Sequence, residues 1–167
     1  ANSLLLVLVA HADGPGGGDS ELWVFDTTDS NLSGGPLRTA PVPGTSGSGG
    51  DLLLVPDGRA VALFRSGGLL RVWDAGVADP ATLADQADIG ADLAGLAAGD
   101  DGTTLYSAEP ASPNLHLLDL ATAGLDPQTL ALAEGEASHV AAVSSTGPIS
   151  ISLPAYMTPN RSTNWAI

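Results

Sequence analysis

Short apolar runs separated by turn residues follow one another along most of the chain. Three of these runs end in an aspartate, at Asp26, Asp74 and Asp119. Apolar runs of about four to eight residues that are bounded by glycine, proline or aspartate are typical of β-strands. The longest run, at 4–10, falls far short of the roughly 18 residues that a membrane-spanning helix needs. We therefore predict a buried strand at 4–10 and expect no insertion into a membrane.

Two Asp-Gly pairs stand between apolar runs and predict hairpins. They are Asp57-Gly58 and Asp101-Gly102. A type I′ turn favours Asp-Gly because both of its central residues have positive φ. The sequence thus predicts two antiparallel pairings, residues 52–55 with 61–64 and residues 96–98 with 105–107.

A third candidate turn, Thr146-Gly147, precedes a run at 149–153 in which apolar and polar residues alternate, as in a half-buried strand. The turn glycines, Gly58, Gly102 and Gly147, are 44 and 45 residues apart, and the strand-ending aspartates are 48 and 45 residues apart. Periods of about 40–50 residues with several strands per repeat indicate the blades of a β-propeller. We predict an all-β fold of antiparallel propeller blades, with a β-sandwich as the alternative.

The repeat length sets the expected blade number. At about 45 residues per blade, the 167 residues supply about three and a half blades, whereas a closed ring typically has about four to eight. We treat 1–167 as one partial β-propeller domain with blade ends near 26, 74 and 119. It is expected to belong to a larger ring, as a fragment, as one of several subunits or as an oligomer.

Two stretches interrupt the pattern. Residues 33–50 are rich in glycine, proline, serine and threonine, and they predict an extended link between blades. Residues 80–98 are compatible with a helical turn, although Gly90 and Gly95 argue against a long helix.

The strand pattern also predicts a core. Trp23 and Trp73 both lie an odd number of positions before their terminal aspartate, so both rings leave the same strand face. We interpret them as packing between blades, with an aromatic binding platform as the alternative. The terminal aspartates are expected to cap the turns that follow them, and metal binding in a channel is the alternative. The residues expected to be buried are Leu22, Val24, Leu70, Val72, Leu115 and Leu117.

Composition narrows the classes of function. Five arginines, no lysine and 19 acidic residues give a net charge of −14, which argues against binding to nucleic acids and to anionic membranes. The absence of cysteine excludes disulfides, thiolate metal sites and thiol catalysis. The histidines, His11, His116 and His139, lack metal-ligand spacing, so we assign them structural roles. No catalytic, cofactor-binding or metal residue is predicted.

The repeats resemble known propeller families. Residues 96–108, read with 114–122, resemble one repeat of the YVTN type, and residues 70–75 resemble a WD-type strand end. The order of segments from 4 to 102 also resembles the last blades of the heavy subunit of quinoprotein amine dehydrogenases, such as methylamine dehydrogenase. That resemblance implies a periplasmic or secreted propeller that scaffolds a small catalytic subunit. The tryptophan-derived quinone would lie on that subunit, with no cofactor and no catalytic residue on this chain.

Three hypotheses of function follow. The first is a non-catalytic propeller that binds a partner protein, such as the small subunit of a periplasmic oxidoreductase that transfers electrons. The second is a propeller enzyme of the lactonase or hydrolase type with a metal in its central channel. The third is a propeller for general protein–protein interaction. Under the first hypothesis, the net charge of −14 would attract basic electron carriers to the surface of the propeller.

Overall fold

The fold is described from a computed structural model, which defines residues 4–11, 18–28, 34–45, 50–74, 76–133, 135–137 and 140. Within these residues the chain forms three antiparallel sheets. The first sheet contains β1 (Leu4–Val9), β2 (Glu21–Asp26) and β3 (Arg38–Pro41). The second contains β4 (Gly50–Leu54), β5 (Ala60–Phe64), β6 (Leu69–Trp73) and β7 (Asp85–Asp88). The third contains β8 (Ala94–Ala98), β9 (Thr104–Ala108), β10 (Asn114–Asp119) and β11 (Gln128–Ala131).

Strands that are consecutive in the sequence are neighbours in each sheet. The order is β1-β2-β3 in the first sheet, β4-β5-β6-β7 in the second and β8-β9-β10-β11 in the third. Short 3₁₀ turns lie at Ser66–Gly68 and Ala123–Leu125. No helix among the described residues has the length and apolar character needed to cross a membrane.

Both predicted hairpins are confirmed. In the first, Leu53 pairs with Val61 and Leu52 with Ala62. In the second, Ala98 pairs with Leu105 and Ala97 with Tyr106, and the register shifts between Ala94 and Ala97. The third candidate, at Thr146-Gly147 with the run 149–153, lies outside the described residues.

The turns differ in detail from the predicted type I′ turn. Gly58 N–H donates to the carbonyl of Val55 at 2.8 Å, and Gly58 has φ +94° while Asp57 does not have positive φ. In the other hairpin, Gly102 N–H donates to the carbonyl of Gly99 at 3.0 Å, and Gly102 has φ +67°. The turn is therefore centred one residue earlier than Asp-Gly, and only glycine takes the left-handed conformation, as in three-residue hairpin loops.

Three short strands correct the sequence interpretation. The predicted link 33–50 contains β3, which pairs with β2 from Arg38 to Pro41. The stretch 80–98 contains β7 and the start of the third sheet instead of a helical turn. Both β3 and β7 are short and polar, so their extended form is stabilised by pairing with a central strand and not by an apolar pattern of their own.

The three sheets stack with the second sheet in the middle. One face of the second sheet packs on the first sheet, where Leu22 and Val24 join Phe64 and Trp73 in a buried cluster. The opposite face packs on the third sheet in a second buried cluster. Its core residues include Leu63, Leu70, Val72, Leu105 and Leu118. Since both faces are covered, every residue of β5 is buried.

The sheets all face the same way in the stack. Leu22 and Val24 lie four and two positions before Asp26, and they pack toward the second sheet. Leu70 and Val72 occupy the same positions before Asp74, and they pack toward the third sheet. Each sheet thus turns equivalent positions toward the sheet that follows it, as repeated blades do.

This polarity overturns the prediction that Leu115 and Leu117 are buried. Both are only half-buried, whereas their neighbours His116 and Leu118 are 5% and 1% exposed. Leu115 and Leu117 lie on the face of the third sheet that points away from the second sheet. The other four predicted core residues, Leu22, Val24, Leu70 and Val72, are fully buried.

Polar contacts join neighbouring sheets. Arg59 Nη1 donates to the carbonyl of Leu120 at 2.5 Å, which ties the first hairpin turn to the end of β10. Gly124 N–H donates to the carboxylate of Asp85 at 2.9 Å, from the third sheet to β7. Arg71 is 6% exposed, and its Nη2 donates to the carbonyl of Pro43, which follows β3, at 3.5 Å. Within the second sheet, its Nη1 lies 2.7 Å from Asp88 Oδ1.

Candidate interaction surface

One face of the first sheet is not covered by the other two sheets. Alternation along β2 places Trp23 and Phe25 opposite the buried Leu22 and Val24. Val7 pairs with Trp23, and Leu5 pairs with Phe25, so these two residues share that face. We name these four residues, Leu5, Val7, Trp23 and Phe25, the open face.

The side chains of the open face are large and apolar. Leu5 is 40% exposed, and the other three are half-buried. The rings of Trp23 and Phe25 are in tilted contact, with centroids 6.3 Å apart. The indole N–H of Trp23 donates to Glu21 Oε2 at 2.7 Å, and His11 Nε2 lies 3.6 Å from the same carboxylate oxygen. This polar margin beside an apolar centre is the usual composition of a protein interface.

The two tryptophans have different environments. Trp73 is 1% exposed between the first and second sheets, and its indole N–H donates to the carbonyl of Pro80 at 2.9 Å. It packs between sheets, as predicted. Trp23 occupies the equivalent face of β2, but no described sheet packs on it. Sequence reasoning placed both rings on the same face, and it missed that the first sheet is the outermost described layer on that side.

An apolar groove runs between β1 and β4. Its volume is about 510 Å³. Leu5 and Leu54 on its walls are exposed by 40% and 67%. We name it the β1 groove. Its lining consists of Leu4, Leu5, Leu6, Leu52, Leu53, Leu54, Gly58, Ala60, Gly76 and Val77.

Two strand-ending aspartates cap the turns after their strands. Asp26 Oδ1 accepts hydrogen bonds from the amide and the hydroxyl of Thr28, at 2.8 and 2.6 Å. Asp119 accepts from the amide of Ala121 and the hydroxyl of Thr122, both at 2.8 Å. Hydrogen bonds from the Thr28 hydroxyl and amide lower the pKa of Asp26. Both carboxylates are therefore used in local turn structure.

Asp74 differs from the other two. Its main-chain carbonyl accepts a hydrogen bond from Val77 N–H at 3.3 Å, and its side chain is exposed. Within the part of the chain that the structure describes, neither Asp74 nor Asp26 is paired with an arginine. Asp26 is the cross-strand partner of Leu4, and Gly76 and Val77, which follow Asp74 along the chain, line the β1 groove.

The turn aspartates are held more tightly. Asp101 accepts hydrogen bonds from the amides of Thr103 and Thr104 and from the Thr104 hydroxyl, at 2.6 to 2.9 Å. These bonds, with the Thr104 hydroxyl first, lower the pKa of Asp101 to about 2. Asp57 binds the guanidinium of Arg59 at 2.6 Å, and this contact lowers the pKa of Asp57.

The described histidines lie apart from each other. His116 is buried, with Nε2 at 3.1 Å from Glu109 Oε2 and Nδ1 at 3.4 Å from the Thr129 hydroxyl. Hydrogen bonds from Asn114 and His116 lower the pKa of Glu109. His11 is at the margin of the open face, and His139 lies outside the described residues. In the described ranges, no three acidic, histidine or cysteine side chains come together as a set that can hold a metal ion.

Comparison with known proteins decides the fold. No protein-family model matches the chain, and no curated protein matches it. The β-propeller domain of Cps50 (Swd1) from Myceliophteria thermophila has a similar structure, with a TM-score of 0.56 and 11% sequence identity. The fold is that of a β-propeller. The similarity extends over 82% of this chain but only 45% of that domain, so the propeller chain described here spans less than half of its structural neighbour. At this identity the likeness establishes the fold alone.

Proposed function

We propose that this propeller is a non-catalytic unit that acts as a scaffold and binds partner proteins. The observation that carries the proposal is the open face of the first sheet. The equivalent face of the second sheet is buried against its neighbour, whereas Trp23, Phe25 and Leu5 are left partly exposed by the described residues. Large apolar patches that remain exposed mark protein interaction sites.

The same reasoning supports a larger assembly. In a ring of blades each sheet is covered on both faces, as the second sheet is here. We propose that the open face is covered by another blade or by a partner subunit. The net charge of −14 favours partners with basic surfaces, because opposite charges accelerate association.

The test is the native mass of the purified protein, measured by light scattering together with the identity of any co-purifying chain. We expect a mass above the 16.6 kDa of one chain. We also expect a thermal midpoint that falls on dilution, because an assembly stabilises its subunits by mass action. A monomer whose midpoint is independent of concentration would contradict the proposal.

A matched pair of variants locates the contact. Phe25→Asp places a charge in the open face, and we expect it to dissociate the assembly. Ala81→Asp places the same charge in the loop between β6 and β7, where Ala81 is exposed, and we expect the assembly to persist. Equal behaviour of the two variants would show that the open face is not the contact.

The resemblance to amine dehydrogenases suggests a narrower proposal. Here the partner is the small subunit of a periplasmic amine dehydrogenase, and its tryptophan-derived quinone carries out the oxidation. This proposal rests on the order of sequence segments in 4–102. Co-expression with such a subunit should give a complex with the visible absorption of the quinone. Failure to associate would reject the narrower proposal and leave the scaffold function standing.

A further inference from the structure

Two turns of the chain share one backbone conformation but differ in the residues that adopt it. In the turn between β5 and β6, the two left-handed positions are Gly67 and Gly68, with φ +72° and +59°. In the turn between β10 and β11, the same two positions are Gly124 and Leu125, with φ +75° and +61°. Leu125 therefore adopts a conformation that the earlier turn gives to glycine, and a bulky side chain is rarely found there.

The hydrogen bonds of the two turns also match. Gly67 N–H donates to Asp92 Oδ1 at 3.0 Å, and Gly124 N–H donates to Asp85 Oδ2 at 2.9 Å. In each turn the next amide donates to the carbonyl three residues before it, at 3.3 Å in the first turn and 2.9 Å in the second. The two turns are thus one motif, and the first turn shows that glycine forms it without steric strain.

The strain in the second turn extends to the residue that follows Leu125. Asp126 has φ +32°, and it precedes Pro127. The residue before a proline is normally extended, and left-handed conformations are unfavourable for residues that have a Cβ atom. Leu125 and Asp126 are therefore two strained residues in succession. Such strain persists only where the surrounding structure holds the backbone in place.

Two contacts with the second sheet hold this turn. The side chain of Leu125 is fully buried in the apolar cluster between the second and third sheets. The carboxylate of Asp85, at the start of β7, accepts the Gly124 N–H through both oxygens, at 2.9 and 3.1 Å. Burial of a leucine side chain and a hydrogen bond to a charged acceptor are each strong enough to offset one strained residue.

We infer that residues 123–126 form a strained strap that fastens the third sheet to the second. The closed strap places Leu125 between the two sheets, and its backbone strain favours release. Release withdraws Leu125 and frees the carboxylate of Asp85, while the strand pairs of both sheets stay intact. The joint between these sheets therefore opens first at the strap. All of these contacts lie within one chain, so the strap acts without the partner of the proposed function.

Hydrogen exchange of the purified protein, followed at single amides by NMR, measures release of the strap. The amides of Gly124 and Leu125 are hydrogen-bonded in the closed strap. We expect them to exchange faster than the hydrogen-bonded amides of β10, because the strap opens locally. A single common rate for both sets of amides would show that the strap opens only when the whole chain unfolds, and it would overturn the inference.

A matched pair of glycine substitutions tests for strain at two exposed positions of the strap. Asp126→Gly relieves a left-handed residue, and we expect exchange at Leu125 to slow by about twofold to tenfold. Ala123→Gly adds the same chain flexibility where the backbone angles are helical, and exchange at Leu125 should become about twofold to fivefold faster. Faster exchange in both variants would show that the turn stores no strain, which contradicts the inference.

Substitutions at Asp85 test what holds the strap closed. Asp85→Ala removes the acceptor, and we expect exchange at Gly124 to be at least about tenfold faster. Asp85→Asn keeps one acceptor oxygen and should give an intermediate rate. The control is Asp79→Ala, which removes a carboxylate that accepts the Ala81 N–H within its own loop, and Gly124 should then exchange as in the unmodified protein. An unchanged rate in Asp85→Ala, or equal rates in Asp85→Ala and Asp79→Ala, would show that β7 does not hold the strap.

Discussion

Leu117 and Leu118 are adjacent on β10 but lie on opposite faces of the third sheet. Leu118 is 1% exposed, in the cluster that joins the second and third sheets, whereas Leu117 is half-buried on the face that points away. Replacing each with alanine removes the same atoms from one strand. The comparison therefore measures what the neighbouring sheet contributes.

The expected costs follow from burial. Truncation of a fully buried leucine to alanine costs about 2–5 kcal/mol, because the contacts are lost and a cavity remains. For a chain of this size each kcal/mol lowers the thermal midpoint by about 2–4 °C, so Leu118→Ala should lower it by about 4–20 °C. Leu117→Ala leaves no enclosed cavity, and we expect roughly half that loss.

The measurement is thermal and urea unfolding of both variants, followed by far-ultraviolet circular dichroism at equal protein concentration. The slope of the unfolding free energy against urea concentration should be the same in both variants, which would show that only stability has changed. An equal loss in the two variants, or a larger loss for Leu117→Ala, would refute the orientation assigned to β10 and the common polarity of the sheets.

Three further predictions test the core, a turn and a close contact. Val72→Asp buries a charge without a partner and should cost about 4 kcal/mol or more of unfolding free energy; an unchanged thermal midpoint would show that β6 is misassigned. Asp101 has a folded pKa of about 2, below its unfolded value of about 3.9. The Asp101 carboxylate therefore adds to the free energy of unfolding above pH 4, and this stabilisation is lost as the pH falls toward 2. Asp101→Asn should be less stable than the unmodified protein in urea at pH 5, with a smaller difference at pH 2. Gly68→Ala would place a Cβ 2.6 Å from a main-chain oxygen at φ +59°, whereas at Gly67, with φ +72°, the nearest atom is 3.8 Å away. Gly68→Ala should therefore lower the midpoint more than Gly67→Ala, and equal effects would rule out the close contact.

Local signals in the sequence are sufficient to predict the two hairpins. The Asp-Gly pairs and the apolar runs beside them act over a few residues, so the pairings of β4 with β5 and of β8 with β9 follow from turn chemistry alone. Each turn is centred one residue earlier than Asp-Gly because Pro56 and Asp100 occupy its first central position. Proline favours the first central position of such turns.

Sheet edges and sheet faces were not predictable in the same way. The edge strand β3 has one buried residue, Ala40, and β11 has none, so neither carries an apolar pattern. Which face of β10 is buried depends on the sheet next to it, and that neighbour is distant in the sequence. The β1 groove was missed for the same reason, since β1 and β4 contribute to it from separate sheets.

The burial of β5 on both faces has a consequence for how the molecule opens. Separating the first or the third sheet from the stack breaks one apolar cluster, whereas separating the second sheet from its neighbours breaks both clusters. In stacked repeats, stability is approximately a sum over neighbouring interfaces, so the second sheet is the last to separate. Amide hydrogens of β5, such as those of Ala62 and Leu63, should exchange with solvent more slowly than those of β1 or β11. The lifetime of the folded chain is then set by its middle sheet, and fraying proceeds inward from both sides.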